Sequence, residues 1–96
     1  MNKTILNFGL LGCGMAAEVH ARAIKSLENA CLFGVADADA SRAASFAEKQ
    51  GVKSYKNFDE LLLDESIDAV WICTPNGFHA QNAIAALYAG KHVVVE

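Results

Sequence analysis

The chain has 96 residues, of which 53% are hydrophobic and 20% charged, and its formal net charge is −3. It contains no basic run of the kind that binds nucleic acid, no apolar stretch near the ~20 residues of a membrane span, and no N-terminal signal segment. Three separated cysteines, Cys13, Cys31 and Cys73, argue against a disulfide framework or a zinc site. We therefore expect a small cytoplasmic domain without nucleic-acid or membrane partners.

The first apolar run, residues 5–11, leads into a glycine-rich turn and then into an amphipathic stretch. Gly12, Gly14 and Ala17 match the dinucleotide fingerprint Gly-x-Gly-x-x-Ala. Gly12 allows a tight turn, Gly14 lets backbone approach a pyrophosphate, and Ala17 lets the helix pack closely on the strand. The positive end of the helix dipole then faces an anion. The turn predicts cofactor contacts from Gly12, Cys13, Gly14, Met15 and Ala16, although packing alone can also select small residues here.

The second apolar run ends at Asp37, which lies 20 residues after Ala17. A dinucleotide-binding fold places at this position the acid that accepts hydrogen bonds from the adenosine ribose. Because a carboxylate repels a 2′-phosphate, NAD is favoured over NADP as the cofactor. Asp39 is better placed than Asp37 to cap the next helix. Arg42 could meet a phosphate and weaken the NAD preference, but an alanine-rich helix favours a solvated surface position for it.

Strand-like and helix-like stretches alternate along the whole chain, which is typical of parallel β-α-β units. The predicted strands span residues 5–11, 31–36, 52–55, 69–73 and 93–95. We expect an α/β fold with a Rossmann-like, doubly wound parallel sheet whose five strands follow the order 3-2-1-4-5. The sheet is expected to be incomplete at its C-terminal side. A single domain would then cover residues 1–96.

Helical spacing also predicts which faces of the helices are buried. In the first helix the predicted buried residues are Ala16, Val19, Ala23 and Leu27. In the second they are Ala40, Ala43, Ala44 and Ala47. In the last helix they are Ala80, Ala83, Ile84, Leu87 and Tyr88. Gly51 is predicted to end the second helix, and Asn57 to begin the third.

A third group of residues, 74–79, follows the fourth predicted strand and faces the same crevice as the glycine turn. Pro75 fixes the turn, Asn76 offers an amide, and His79 places a titratable ring at the start of the next helix. Each also has a structural explanation, because Asn76 can cap the helix and His79 can be a solvated residue of its first turn. His20 fits a partly buried helix position better than a catalytic one.

These segments together resemble the N-terminal domain of the Gfo/Idh/MocA family, the relatives of glucose-fructose oxidoreductase and inositol dehydrogenase. The resemblance spans nearly the whole chain and rests on residues 12–17, 35–37, 74–79 and 90–96, of which the last two segments are the most specific. It implies that the parent protein is an NAD(P)-dependent dehydrogenase. Such an enzyme transfers a hydride between the nicotinamide and a sugar- or polyol-like substrate.

In that family the segment matching residues 74–79 lines the cofactor site toward the ribose and nicotinamide. The resemblance therefore implies cofactor contacts from Thr74, Pro75, Asn76 and His79. Glu96 matches the glutamate of the family's Glu-Lys-Pro motif, which lies near the nicotinamide. The motif's lysine, which commonly transfers a proton in the family, would be the next residue, so no catalytic residue can be named in this chain.

We expect residues 1–96 to be a partial dinucleotide-binding domain without the second, substrate-binding domain. On its own such a piece binds nucleotide at most. The parent enzyme is expected to form a homo-oligomer. In the piece, residues 93–95 would form an apolar sheet edge through which the chain could associate with itself.

Three other classes of nucleotide-binding protein share part of this pattern. A non-catalytic regulatory module would share the fold and stays open as an alternative. A methyltransferase-like fold also binds adenosine through an acid after the second strand, but a carboxylate usually precedes its glycine motif, where this chain has Phe8 to Leu11. A P-loop nucleotidase is excluded because no Gly-Lys-Ser or Gly-Lys-Thr follows the turn.

Overall fold

A computed structural model describes residues 5–74 and 76–95. Within them strands and helices alternate, as predicted. The strands are β1 (Leu6–Leu11), β2 (Ala30–Ala36), β3 (Lys53–Ser54), β4 (Ala69–Ile72) and β5 (His92–Val95). The helices are α1 (Ala17–Ser26), α2 (Ala40–Gln50), α3 (Phe58–Leu63) and α4 (His79–Tyr88), with a 3-10 turn at Asn76–Phe78 directly before α4.

The described strands form one parallel sheet in the order β3-β2-β1-β4-β5, which confirms the predicted topology. The central strand β1 pairs with β2 and β4, so that Leu11 has Ala36 on one side and Ile72 on the other. Leu11, Ala36 and Ile72 are the last residues of β1, β2 and β4, so the three strands end side by side. The turns that follow β1, β2 and β4 therefore meet at the same edge of the sheet.

Apolar side chains fill both faces of the sheet, which explains why its strands lack an alternating pattern. One face packs under α1 and α2 and includes Phe8, Leu10, Val35, Ala21, Ile24, Ala43 and Ala47. The opposite face packs against α3 and α4 and includes Leu11, Val70, Ile72, Leu61, Ile67 and Ala86. The core therefore holds β1 between two helical layers and fixes the position of the turn that follows it.

The predicted buried face of α1 is wrong. Val19 and Leu27 are 62% and 50% exposed, whereas Ala17, Ala21 and Ile24 are buried against the sheet. Small side chains let a helix lie close to a sheet, and the two alanines at positions i and i+4 face inward together with Ile24. The fingerprint residue Ala17 thereby has the close-packing role that the sequence predicts for it.

The predicted face of α4 is also wrong. Ile84, Leu87 and Tyr88 are exposed, while Ala86 is buried and Ala83 packs against the core. This helix is apolar on more than one side, so its periodicity does not select a single buried face. For α2 the prediction holds in part: Ala43 and Ala47 are buried, but Ala40 and Ala44 are exposed.

The predicted helix ends agree with the structure. The Asp39 carboxylate accepts hydrogen bonds from the backbone N–H groups of the first turn of α2, and Asn57 accepts one from the N–H of Glu60 in α3. Gly51 ends α2 with a φ of +70°, the left-handed conformation that favours glycine. The caps at Asp39 and Asn57 fix where the turns at the carboxyl edge of the sheet end and the next helices begin.

Candidate functional site

A cavity of about 690 Å³ opens at the carboxyl edge of the sheet. Gly12, Gly14 and Asp37 line one part of it, and Thr74 lines another. These residues come from the glycine turn, the end of the second strand and the turn after the fourth strand. The fold therefore brings together in one cavity the three segments that the sequence singles out, as expected where strand order reverses beside the first strand.

Position 12 requires glycine for reasons that lie within the protein, without any ligand. Its φ is +102°, and a Cβ atom at this position would lie 3.0 Å from the carbonyl carbon and oxygen of Cys73. A side chain would thus meet both backbone strain and a steric clash with the end of β4. The tight turn predicted for this residue is present.

Gly14 has no such reason to be glycine. Its φ is not positive, and the nearest heavy atom to an added Cβ would be Nη1 of Arg42, at 4.0 Å. Protein packing therefore leaves room for a side chain, while the residue lines the cavity. A glycine here leaves the backbone open to the cavity, and the predicted contact with a pyrophosphate stays a prediction.

The Asp37 carboxylate is tied to the glycine turn. Its Oδ2 accepts a hydrogen bond from the backbone N–H of Cys13 at 2.6 Å, and its Oδ1 accepts one from the N–H of Asp39 at 2.8 Å. The Asp37 side chain is only 8% exposed. Since each carboxylate oxygen can accept more than one hydrogen bond, both retain acceptor capacity toward the hydroxyls of a ribose.

Cys13 is a packed core residue rather than a reactive thiol. Its Sγ contacts the carbonyl oxygen of Ala36 at 3.6 Å, and the residue is buried. Burial, reinforced by the nearby Asp37 carboxylate, raises the pKa of the Cys13 thiol to about 12. The thiol is therefore neutral at physiological pH and directed at the Ala36 carbonyl, while the backbone N–H of Cys13 donates to Asp37.

The start of α1 differs from the starts of α2 and α3. Its N-cap residue is Ala16, which has no side-chain acceptor, whereas Asp39 and Asn57 cap the other two helices with oxygen atoms. Met15 and Ala16 are both exposed at this end. An anion beside the first turn of α1 would meet backbone N–H groups and the positive end of the helix dipole.

Arg42 borders the cavity beside Asp37, with its Nη1 3.9 Å from Asp37 Oδ1 and its side chain 54% exposed. The alanine-rich helix predicts a solvated surface position for Arg42, and the structure adds that the residue borders the candidate site. An ion pair this exposed contributes at most about 1 kcal/mol to stability. The guanidinium can therefore turn from Asp37 toward a ligand anion at small cost.

Thr74 is held by the first turn of α4. Its hydroxyl oxygen accepts a hydrogen bond from Asn82 Nδ2 at 3.0 Å, and its carbonyl oxygen contacts Nε2 of His79. A carbonyl can only accept, so Nε2 of His79 is the donor in this contact. The described lining of the cavity includes Thr74, Phe78 and Asn82 but not His79. A direct cofactor contact by His79 stays a prediction.

Three predicted contacts are described partly or not at all. Pro75 and Glu96 lie outside the described residues, and the backbone of Asn76 begins the 3-10 turn before α4. Contacts of these three residues with a cofactor stay predictions.

Sequence reasoning missed two parts of the cavity wall. The cavity is lined by Lys56 and Asn57, between β3 and α3, by Phe58, the first residue of α3, and by Asn82 in α4. The position of residues 56–58 directly after the third predicted strand was an available signal, because every parallel strand ends at this edge. Asn82 carried no signal, since it lies inside a helix among alanines.

No group of three or more His, Cys, Asp and Glu side chains in the described ranges is arranged to hold a metal ion. Among the described helices, none has the length and apolar character needed to cross a bilayer.

The family model described as "Oxidoreductase family, NAD-binding Rossmann fold" matches residues 6–96. The chain is 35% identical over 92 residues to a myo-inositol 2-dehydrogenase of Thermotoga maritima, an alignment that covers 95% of this chain and 28% of that protein. It thus spans little more than a quarter of that relative's length.

Two solved structures are similar along almost the whole chain. A protein of Listeria innocua described as NAD-binding has a TM-score of 0.88 at 36% identity, covering 98% of this chain and 27% of the other. A 3-ketoreductase of Actinomadura kijaniata in complex with NADP has a TM-score of 0.87 at 29% identity. The match covers 95% of this chain and 29% of the ketoreductase. Together with the fold and the cavity at its switch point, these matches show that the chain belongs to the Gfo/Idh/MocA oxidoreductase family and has its NAD-binding Rossmann fold.

Proposed function

We propose that this chain binds NAD as the nucleotide-binding part of an oxidoreductase that transfers a hydride between the nicotinamide and a sugar- or polyol-like substrate. The observation that carries the proposal is the single cavity lined by Gly12 and Gly14, by Asp37 and by Thr74. A dinucleotide spans such a crevice from the adenosine ribose to the nicotinamide. The substrate class is supported by relatives such as the myo-inositol dehydrogenase, and the hydride chemistry belongs to the cofactor.

In this proposal the chain's own residues bind and orient the cofactor. Gly14 and the start of α1 bind the pyrophosphate, because backbone N–H groups and the helix dipole favour an anion there. Asp37 accepts hydrogen bonds from the adenosine ribose. Thr74 contacts the nicotinamide half from the opposite side of β1, together with Asn76, His79 and Glu96.

A preference for NAD over NADP is the finer part of the proposal. The Asp37 carboxylate, 8% exposed beside the turn, would repel the 2′-phosphate of NADP. Arg42 acts in the opposite direction, because its guanidinium borders the same part of the cavity and carries a positive charge. We expect NAD to bind more tightly than NADP, by a factor that Arg42 reduces.

The test is a calorimetric titration of the chain with NADH and with NADPH. It is repeated by following the emission of Trp71, the one tryptophan of the sequence. NADH absorbs tryptophan emission, so binding should quench Trp71. We expect NADH to bind more tightly than NADPH. A folded chain that binds neither nucleotide would contradict the proposal.

A non-catalytic nucleotide-binding module would give the same titration. The two functions separate in a turnover assay of the full-length protein with NAD and a panel of sugars and polyols. Reduction of NAD supports the oxidoreductase. Nucleotide binding without turnover of any polyol or sugar would favour the regulatory module.

We also propose self-association through β5, the outer strand of the described sheet, where Val94 and Val95 are 37% and 42% exposed. An outer strand offers backbone groups for pairing with another copy. Sedimentation at low micromolar concentration should therefore give species larger than a monomer, and Val94→Lys should reduce them. A monomer at all concentrations would contradict this part. A cytoplasmic location is also proposed, because the sequence has an odd number of widely separated cysteines, which is not the pattern of a secreted disulfide framework.

A further inference from the structure

Asn82 lines the cavity and contacts another residue of the cavity wall, Thr74. It is the fourth residue of α4 and three positions after His79, so both side chains project from the same side of the first helical turn. His79 contacts the carbonyl oxygen of Thr74, and Asn82 donates to its hydroxyl oxygen at 3.0 Å. Thr74 is thus held at two of its atoms by one turn of helix.

The direction of the Asn82 hydrogen bond determines what the Thr74 hydroxyl can do. A threonine hydroxyl has one O–H donor and two acceptor lone pairs. Asn82 Nδ2 can only donate, so it occupies a lone pair and leaves the O–H of Thr74 for an acceptor elsewhere. Thr74 and Asn82 both line the cavity, so an acceptor bound in the cavity is within the reach of that O–H.

The position of Thr74 specifies which half of a dinucleotide this would be. In the sheet order, β2 and Asp37 lie on one side of β1, and β4 and Thr74 lie on the other. Since the acid after the second strand receives the adenosine ribose, the opposite side of the crevice receives the nicotinamide half. Thr74 also lies against the glycine turn, because a Cβ at Gly12 would be 3.2 Å from the Thr74 nitrogen.

We infer that Asn82 is a positioning residue that fixes the Thr74 hydroxyl as a hydrogen-bond donor toward an acceptor oxygen in the nicotinamide half of the cofactor. This inference rests on the proposed function, since it assigns one contact within the same site. Asn82 does not touch the reacting atoms. It acts through Thr74, because its own donation to the hydroxyl oxygen leaves the Thr74 O–H free to donate to the cofactor.

The decisive variant is Asn82→Asp, which keeps the shape of the side chain but replaces the amide donor by a carboxylate. The Thr74 O–H would then turn to the carboxylate and be lost to the ligand. Gln81→Glu is the matched control, because it makes the same chemical change at an exposed neighbouring position of α4. Thr74→Val removes the hydroxyl at almost constant shape, and Thr74→Ser keeps it.

Each variant is titrated with NADH and with AMP, which has only the adenosine half of the cofactor. We expect Asn82→Asp and Thr74→Val each to weaken NADH binding about tenfold, the effect of one lost hydrogen bond, and to leave AMP binding unchanged. Thr74→Ser and Gln81→Glu should bind both ligands like the wild type. In the Thr74→Val background, Asn82→Asp should cause no further loss, because the hydroxyl that it positions is gone.

The inference and the proposed function fail in different ways. A wild-type chain that binds neither NADH nor AMP would overturn the proposed function and this inference with it. If the wild type binds NADH but Asn82→Asp does not weaken it, or weakens AMP equally, Asn82 has no positioning role toward the nicotinamide half. Additive losses in the double variant would likewise overturn the inference alone.

Discussion

The backbone N–H of Cys13 donates a hydrogen bond of 2.6 Å to the Asp37 carboxylate, which joins the glycine turn to the end of β2. The acid that a dinucleotide-binding fold uses for the ribose is therefore also a structural part of the phosphate turn. Substitution of Asp37 should change both the turn and the ribose contact. Cofactor binding by such variants has to be measured together with their stability.

Asp37→Ala should lower the free energy of unfolding by about 1.5–3 kcal/mol, because it removes an acceptor from the N–H groups of Cys13 and Asp39. Asp37→Asn should lower the free energy of unfolding by less, since its amide oxygen can still accept one of the two hydrogen bonds. Urea denaturation of the two variants and the wild type measures this order. Equal stability of Asp37→Ala and the wild type would show that the two bonds contribute nothing to the fold.

Gly12→Ala and Gly14→Ala should separate folding from binding. Alanine at residue 12 must adopt a φ near +102° and contact the backbone of Cys73, which should cost at least ~1–2 kcal/mol of stability. Alanine at residue 14 has room in the protein, so its unfolding midpoint should stay near that of the wild type while NADH affinity falls. Thermal unfolding and titration of both variants test this. The prediction is wrong if Gly14→Ala binds NADH normally.

Arg42→Ala should weaken NADPH binding more than NADH binding. The guanidinium borders the cavity 3.9 Å from the Asp37 carboxylate, where the extra phosphate of NADPH would lie. Titration of the variant with both nucleotides gives the ratio of the two affinities, and Lys49→Ala on the same helix controls for the loss of one positive charge. An unchanged ratio would assign Arg42 to the solvated surface.

Cys31 should react with an alkylating reagent much faster than Cys13. Cys31 is exposed, whereas Cys13 is buried, and burial raises the pKa of its thiol to about 12. Since the thiolate is the nucleophile, the Cys13 thiol is almost entirely unreactive at pH 8 in the folded chain. Mass spectrometry of peptides after timed alkylation measures both rates. Equal rates in the folded state would contradict the buried position of Cys13.

Tyr55→Phe should reduce stability at neutral pH and much less in acid. The Tyr55 hydroxyl donates to Asp64 Oδ2 at 2.5 Å, and this bond, together with the N–H of Ser66 and with Lys53, lowers the pKa of Asp64 to about 2. The ionised form of Asp64 therefore stabilises the fold above its unfolded-state pKa of about 3.9. That stabilisation is lost as the pH falls from about 4 through about 2.

We expect the difference between the wild type and Tyr55→Phe to be about 1.5–3 kcal/mol at pH 7 and to shrink over that acidic range. Urea unfolding of both proteins between pH 7 and pH 2 measures it. Asp64→Asn provides the control, because it removes the titrating group and should show a much flatter pH dependence. A difference that is constant with pH would exclude Asp64 as the cause.

The sequence by itself determined the order of elements, the strand order and the two ends of the cofactor crevice. Apolar runs separated by helical stretches specify parallel units, and parallel strands place all their carboxyl ends at one edge. For that reason Gly12, Asp37 and Thr74 could be assigned to one cavity without coordinates. The caps at Asp39 and Asn57 were also predictable, since capping depends on residues close together in the chain.

Tertiary structure alone decided which face of each helix is buried and which side chains meet across the cavity. In α1 and α4 apolar residues occur at more than one set of helical positions, so close packing against the sheet decides which set is buried. The resulting rotation of each helix determines that Ala17 faces inward and that Asn82 reaches Thr74. The bond between Cys13 and Asp37 likewise joins residues that follow two different strands, β1 and β2, and no local pattern encodes the direction of a side chain across that distance.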